Sequence, residues 1–561
     1  MEQARIFIAI LLSFLVFFAW EMIFGTHEAV RPPVTEPAEQ AEVAEVAKPP
    51  ERPVEAVSPS GADTTPSDTG SAPAAAQPAS APAARTITVE NPYYRLVVDE
   101  RGGTVRSVEL RQYRQSVARD APPYRLVGED LPGGTLQLAL SPEGGDELGQ
   151  VLFSADSPTE KMVVDRGTRT LVFTYWRSDG IGIEKRFTFQ PDSYLIDLDI
   201  TVKNNGSRTL APRLRLALQQ AEETGKGARY GFSGPSVLID DHLSQIDVDD
   251  IEDQGRLQGK IGWIVIQDRY FLSALVPPPV PGASVQLAHQ NNVIRSDLVL
   301  PPDTLAPGQV RTYTYRVFFG PKRSEVLKPF GLELERVVDF GMFDFIAKPC
   351  LWFMNWIHGF IPNYGIAIII LTILTKVLLW PLGNKSYKSM NEMRRMQPLM
   401  AEIREKYKND KKKMNEEMMK LYRVYKVNPL GGCLPMLVQL PVFFALYRML
   451  YEAIELRHAP FFGWINDLSA PDRLFSFDFS IPLMEPPYGI PVLTIIMGAT
   501  MFLQQKMTPT PGDPTQAKMM TFMPLIFTFI FINFSSGLVL YWLVNNLASI
   551  AQQSYVYKKA A

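Results

Sequence analysis

Apolar and polar positions follow three successive patterns along this chain. Ile6 to Phe24 reads IFIAILLSFLVFFAWEMIF, nineteen residues whose only charge is Glu21. A run of that length reaches across a bilayer core of about 30 Å. Trp20, Glu21, Met22 and Ile23 take the place of a small-x-small cleavage pattern, so residues 1–26 read as an uncleaved anchor rather than a signal peptide. From Thr86 to about Gly320 short runs alternate with period two and are punctuated by Gly, Asn and Pro, as in SYLIDLDITV followed by Asn204, Asn205 and Gly206. That pattern predicts a large antiparallel β-sandwich over 86–320. Between the two, residues 27–85 are rich in Pro, Ala and Glu, and no aromatic residue occurs from His27 to Pro92. Such a segment cannot bury enough apolar surface to offset chain entropy and reads as a disordered tether.

Beyond the sandwich the period lengthens. Residues 321–360 mix charges with bulky aromatics, including Trp352 and Trp356, and suit an amphipathic helix lying in the membrane interface. Long apolar runs then predict spans at 361–382, 431–453 and 488–507. Residues 518–553 are too long for one crossing, and the turn signal NFSSG from Asn533 divides them into two. With the anchor this makes six spans in a polytopic α-helical membrane protein. Gly383 to Asn428 holds 13 Lys/Arg against 6 Asp/Glu, which places the 383–430 loop in the cytosol. The sandwich and the 454–487 loop then lie across the membrane. Both termini, the 508–517 loop and the short 554–561 tail lie in the cytosol.

Composition adds exclusions. Net charge is −3, so only the 383–430 segment is strongly basic, and DNA is not an expected partner. The two cysteines, Cys350 and Cys433, sit in no ligand spacing and fall at opposite membrane faces, which excludes a disulfide framework. The sandwich contains His242 and His289 but no nucleophile elbow, phosphate loop or metal spacing. Neither catalysis nor a cofactor or metal is expected.

Within the basic loop, Met393, Met396 and Met400 continue to Ile403 and Tyr407 at spacings of 3 and 4, and Met414 and Met418 continue to Leu421 and Tyr425. This predicts a helical hairpin whose methionine seam either closes the hairpin on itself or docks varied apolar partners. Pro398 should kink or interrupt its first helix. Lys376 lies six residues inside Leu382, about 9 Å along a helix. Its head group could snorkel to the surface. An intramembrane charge more often faces protein or water, and Thr372 shares its face one turn earlier while other spans offer Gln439, Thr494, Thr528 and Asn545. A hydrated, positively charged groove follows.

Several stretches resemble the YidC family of membrane protein insertases in its Gram-negative form: KVNPLGGCLPMLVQLPVFFALYRML from Lys426, EMMKLY from Glu417, DLSAPD from Asp467, MGATMFLQQKMTP from Met497, and KMMTFMPLIFTFIFINFSSGLVLYWLVNNL from Lys518. The resemblance is dense from about Ile361 to Gln553; for the anchor, linker and sandwich it rests on order and size. It implies a supersandwich-like periplasmic domain without known sugar chemistry and a five-helix insertion core in the bacterial inner membrane. Lys376 takes the position of the family's groove arginine, keeping the charge without the bidentate fork. Thr372, Gln439 and Trp542 fall on the groove side, and Leu434, Pro435, Phe443, Phe527 and Ile530 on an apolar slide for substrate helices. Ser535 stands where proline often precedes Ser-Gly, and the tail is only YKKAA.

The implied function is insertion and folding of integral membrane proteins, alone or with a Sec-type translocase. Nascent membrane proteins, membrane lipids, and targeting factors or the ribosome would be the partners, with the basic hairpin as a docking arm. The competing reading is a membrane-anchored periplasmic glycan-binding or sugar-modifying protein with the sandwich as its working part. A secondary transporter would require inverted repeats and broken helices in both halves, which the sequence lacks.

Overall fold

A computed structural model of the chain describes residues 84–141, 147–222, 231–425, 434–508 and 514–560. The expected anchor and nearly all of the linker lie outside the described residues. Alternation produces the β domain directly. In the strand Leu195–Asn204 every second side chain is buried, so Ile196, Leu198, Ile200 and Val202 face the core while Asp197, Asp199, Thr201 and Lys203 face outward. This strand pairs antiparallel with Val310–Pro321 from Leu195 opposite Phe318 to Lys203 opposite Val310. The pair lies at the centre of a nine-stranded sheet.

Two five-stranded sheets complete the domain. In one of them Ser284–Gln290 and Val293–Val299 form a tight hairpin. Its turn is Asn291-Asn292 at φ of 51° and 59°, left-handed values that asparagine tolerates and that match strand twist. The other contains a departure from the expected antiparallel pattern: Lys161–Val163 runs parallel to Thr86–Glu90. Three residues at a sheet edge are too few for periodicity to reveal direction.

A charge sits inside this apolar core. Lys185 is fully buried, and its Nζ donates to the carbonyls of Gly102, Gly103 and Leu136 at 3.1, 2.6 and 2.9 Å. All three ammonium protons are therefore placed. Burial nevertheless pulls its pKa down to about 7. The unfolded chain then binds more protons than the folded one between about 7 and the ordinary lysine value, so folding stability should rise with pH across that window and level off below it. Lys185→Met should abolish that rise. It should also cost about 2–3 kcal/mol at neutral pH by orphaning the carbonyls. Denaturant unfolding of the purified protein from pH 6 to 10 checks both; an unchanged pH slope would refute the assignment.

Among the described residues eight longer helices follow, numbered in chain order: α1 (Asp344–Phe360), α2 (Tyr364–Leu378), α3 (Trp380–Lys406), α4 (Lys411–Val424), α5 (Leu434–Glu452), α6 (Val492–Met507), α7 (Pro514–Phe531) and α8 (Ser536–Ala560). Helix α1 has two apolar faces. Ala347, Leu351, Met354 and Ile357 pack toward α5 and α2, while Phe345, Trp352, Trp356 and Phe360 are exposed. An exposed aromatic face of this kind suits the membrane interface.

Among the described residues no single helix is long and apolar enough to cross a membrane, although α2 and α3, bent by 65° at Leu379, pass together. One difference from the sequence expectation has a local cause. Helix α6 has 16 residues, about 24 Å, because Tyr488–Ile490 pairs with Leu474–Phe477 as a two-stranded ribbon instead of starting the helix. Helix α3 continues through Pro398 without interruption, and α8 stays helical through the expected tail to Ala560. Close approach of α6 to α7 depends on Gly498, where a Cβ would collide with Thr528 Oγ1.

The β domain and the helices meet in a buried ionic joint. Lys322 Nζ lies 3.8 Å from Glu452 Oε2, with side-chain exposures of 4% and 3%, and Arg448 reaches the other Glu452 oxygen at 3.2 Å. Arg323 Nε lies 3.6 Å from Glu455. Arg269 Nε donates to the Tyr451 carbonyl at 2.7 Å, and its guanidinium stacks 3.6 Å over the Tyr451 ring. The end of the strand Val310–Pro321 and the turn before Phe271–Val276 are thus tied to the end of α5 by charge and by a helix cap.

Candidate functional site

A strip of polar side chains crosses three helices of the bundle. Lys376 on α2 donates from Nζ to Ser549 Oγ on α8 at 2.8 Å, and that hydroxyl donates to the Asn545 carbonyl one turn back at 2.7 Å. Gln439 on α5 donates to Asn545 Oδ1 at 3.4 Å. Among the described residues no acidic side chain acts on Lys376. Its hydrogen-bond partner is a neutral hydroxyl, that of Ser549. Farther along α8, Gln552 donates to the Trp380 carbonyl and to Asn384 Oδ1, both at 3.0 Å, and fixes the start of α3.

The expected lining divides. Thr372 shares the Lys376 face but is 1% exposed, and its hydroxyl is spent on the Ile368 carbonyl at 2.6 Å; it forms wall, not lining. Trp542 is half-buried and makes edge contacts with Phe443 at 4.8 Å and Phe531 at 4.5 Å. Phe443 and Trp542 therefore build an aromatic block beside the polar strip. Phe527 turns inward toward Phe531, whereas Ile530 is exposed together with Phe522, Leu525, Ile526 and Phe529. The outward apolar stripe of α7 consequently includes Ile530 but not Phe527. Leu434 and Pro435 begin α5, and their side chains lie outside the described residues.

In the hairpin, Met393, Met396 and Met400 are buried against Met418, Leu421 and Tyr422, and Met414 is half-buried. The seam closes the hairpin on itself, leaving Met419, Val424 and Tyr425 exposed. A docking surface formed by the buried methionines is not available in this arrangement, because each already has an apolar partner.

Sequence reasoning missed Ser549, Gln552 and Gln553. Their signal was a polar residue every three or four positions in an apolar helix, Asn545, Ser549 and Gln552. In the β domain His289 Nε2 lies 2.9 Å from Glu222 Oε2, and His242 is exposed on a different sheet. A cavity of about 420 Å³ lies far from the polar strip in chain terms, lined by Glu90, Asn91, Arg111 and Asp165 of the β domain among others. Among the described residues no cluster of His, Cys, Asp or Glu could hold a metal.

The chain is thus a β-rich domain followed by a helical region that carries a part-buried lysine among polar side chains. Residues 356–561 match the 60Kd inner membrane protein family, and residues 86–353 match the YidC periplasmic domain. The chain belongs to the YidC family of membrane protein insertases. The insertase of Syntrophus aciditrophicus is 43% identical over 509 residues, covering 88% of this chain and 90% of that relative. The insertase of Pelobacter propionicus is 40% identical over 561 residues and 99% of both chains. A crystal structure of an active YidC insertase with its first transmembrane domain resolved has a TM-score of 0.35 and 19% identity, covering 84% of this chain and 92% of that one.

Proposed function

We propose that this insertase lowers the barrier to translocating short polar segments by receiving them in a hydrated groove around Lys376. Unpaired polar groups cost several kcal/mol each in hydrocarbon, so a groove open to the cytosol and closed outward shortens the dry path. Lys376 attracts acidic residues of the segment. The exposed stripe of α7 passes the apolar part to lipid. Burial of the substrate helix, aided by membrane potential, drives the step. The observation that carries this reading is the ammonium held by Ser549 with no acidic partner among the described residues.

The same reading gives a six-span topology with the β domain in the periplasm and both termini in the cytosol. It makes nascent membrane proteins the substrates, a Sec-type translocase and targeting factors or the ribosome the collaborators, and the basic hairpin the delivery arm. The β domain serves as scaffold. A photo-crosslinker replacing Lys376 should capture a stalled nascent membrane protein; a crosslinker at buried Leu371 should not. Equal capture at both positions would remove the groove from the mechanism.

A further inference from the structure

The DLSAPD stretch and the arginine after it have no part in the groove as described, yet they are densely bonded. Arg473 places all five guanidinium N–H donors on protein acceptors. Nε donates to the Pro487 carbonyl and Nη1 to the carbonyls of Asp472 and Ile532, each at 2.8 Å. Nη2 donates to Asn533 Oδ1 at 3.2 Å and to the Glu485 carbonyl at 3.4 Å. Three segments converge on one side chain: the DLSAPD loop, the segment entering α6, and the turn between α7 and α8.

Its neighbours complete the closure. Asn533 Oδ1 also accepts from Glu485 N at 2.8 Å. Asp472, 2% exposed, accepts from the backbone N–H of Leu493 and Thr494 and so caps α6, whose preceding Pro491 cannot. Ser536 N and Gly537 N at the start of α8 donate to the carbonyls of Ala470 and Leu468 at 2.7 and 2.8 Å. Ser549, the partner of Lys376, lies thirteen residues along α8 from Ser536, about 20 Å. The convergence point at the start of α8 is therefore well separated from the charged strip at its middle.

We infer that Arg473 is the positioning residue that seals the outward end of the insertion groove, holding the mouths of α6, α7 and α8 together while the cytosolic end receives substrate. The inference rests on the groove reading, and it adds which residue keeps that groove from becoming a pore. The acceptors are mostly backbone carbonyls, so a planar fork with five fixed donors suits the place better than an ammonium with three.

The test uses full-length protein in liposomes carrying a pH-sensitive dye inside. Arg473→Ala should raise proton leak per folded molecule about ten-fold, the change expected when closing loses one charge-assisted hydrogen bond's worth of free energy. Arg473→Lys should fall between wild type and alanine. Insertion of a single-span reporter is measured in parallel, with Lys376→Ala as comparison. That variant should leave the leak at wild-type level while changing dependence on reporter charge, so a failed groove reading and a failed seal give different patterns. If Arg473→Ala does not fold, the leak of Arg473→Lys decides alone. Wild-type leak in folded Arg473→Ala, or in Arg473→Lys where alanine is unfolded, overturns the inference even if the protein is less stable.

Discussion

Lys376→Glu should cut insertion of a reporter with a twice-acidic translocated tail to near background while leaving a neutral-tailed reporter within about two-fold of wild type. A point charge in a partly hydrated site acts over several ångströms, so reversing its sign changes attraction into repulsion. Lys376→Ala should give an intermediate loss confined to the acidic reporter, and Lys376→Arg should retain activity because the charge persists. The single bond to Ser549 makes the alternative concrete. If the lysine only snorkelled, Lys385 and Lys388 nearby would substitute for it and alanine would cost little. Protease protection in proteoliposomes reads the outcome; equal insertion of both reporters by wild type and the glutamate variant would leave only the apolar stripe of α7 in the mechanism.

Removing the carboxylate at the joint between domain and bundle should be the most destabilising single change. Glu452→Leu leaves the buried ammonium of Lys322 without its nearest counter-charge and removes the carboxylate that Arg448 reaches, at an expected cost of about 3 kcal/mol. Asp268 and Asp339 also act on Lys322, which keeps the loss from being larger. The double variant Lys322→Met with Glu452→Leu should recover part of the loss, since an apolar pair no longer strands a charge. Unfolding of the purified protein in detergent separates the cases. A single variant as stable as wild type would show that the pair only records proximity.

How far the chain could be read follows from where each signal resides. Strand alternation was legible because one face is buried, as Ile196 to Val202 demonstrate. The parallel edge strand at Lys161 was not, because direction leaves no trace in three residues. Lys376, Gln439 and Asn545 stood out as polar groups in apolar runs, whereas Ser549 reads by itself as ordinary helix packing. Thr372 has the right position but an internal use, since a helix carbonyl takes its hydroxyl. Arg473 was invisible because its acceptors are mainly main-chain carbonyls of segments remote in sequence, and no residue type announces a carbonyl. The start of α6 was misplaced at Tyr488 because hydropathy does not distinguish a short ribbon from a helix end.

The unbroken run of α3 has a mechanical meaning. It begins where α2 ends, at the bend beside Leu379, and its 27 residues extend about 40 Å. The hairpin tip and the lysine-bearing helix therefore lie on two arms that meet at one fulcrum, the bend at the base of α3. Gln552 grips that base through the Trp380 carbonyl at 3.0 Å. A swing of about 10° at the fulcrum carries the tip about 7 Å, while the lysine a turn inside the fulcrum moves by a small fraction of that distance. A large excursion of the arm would thereby be geared down before it reached the charged strip.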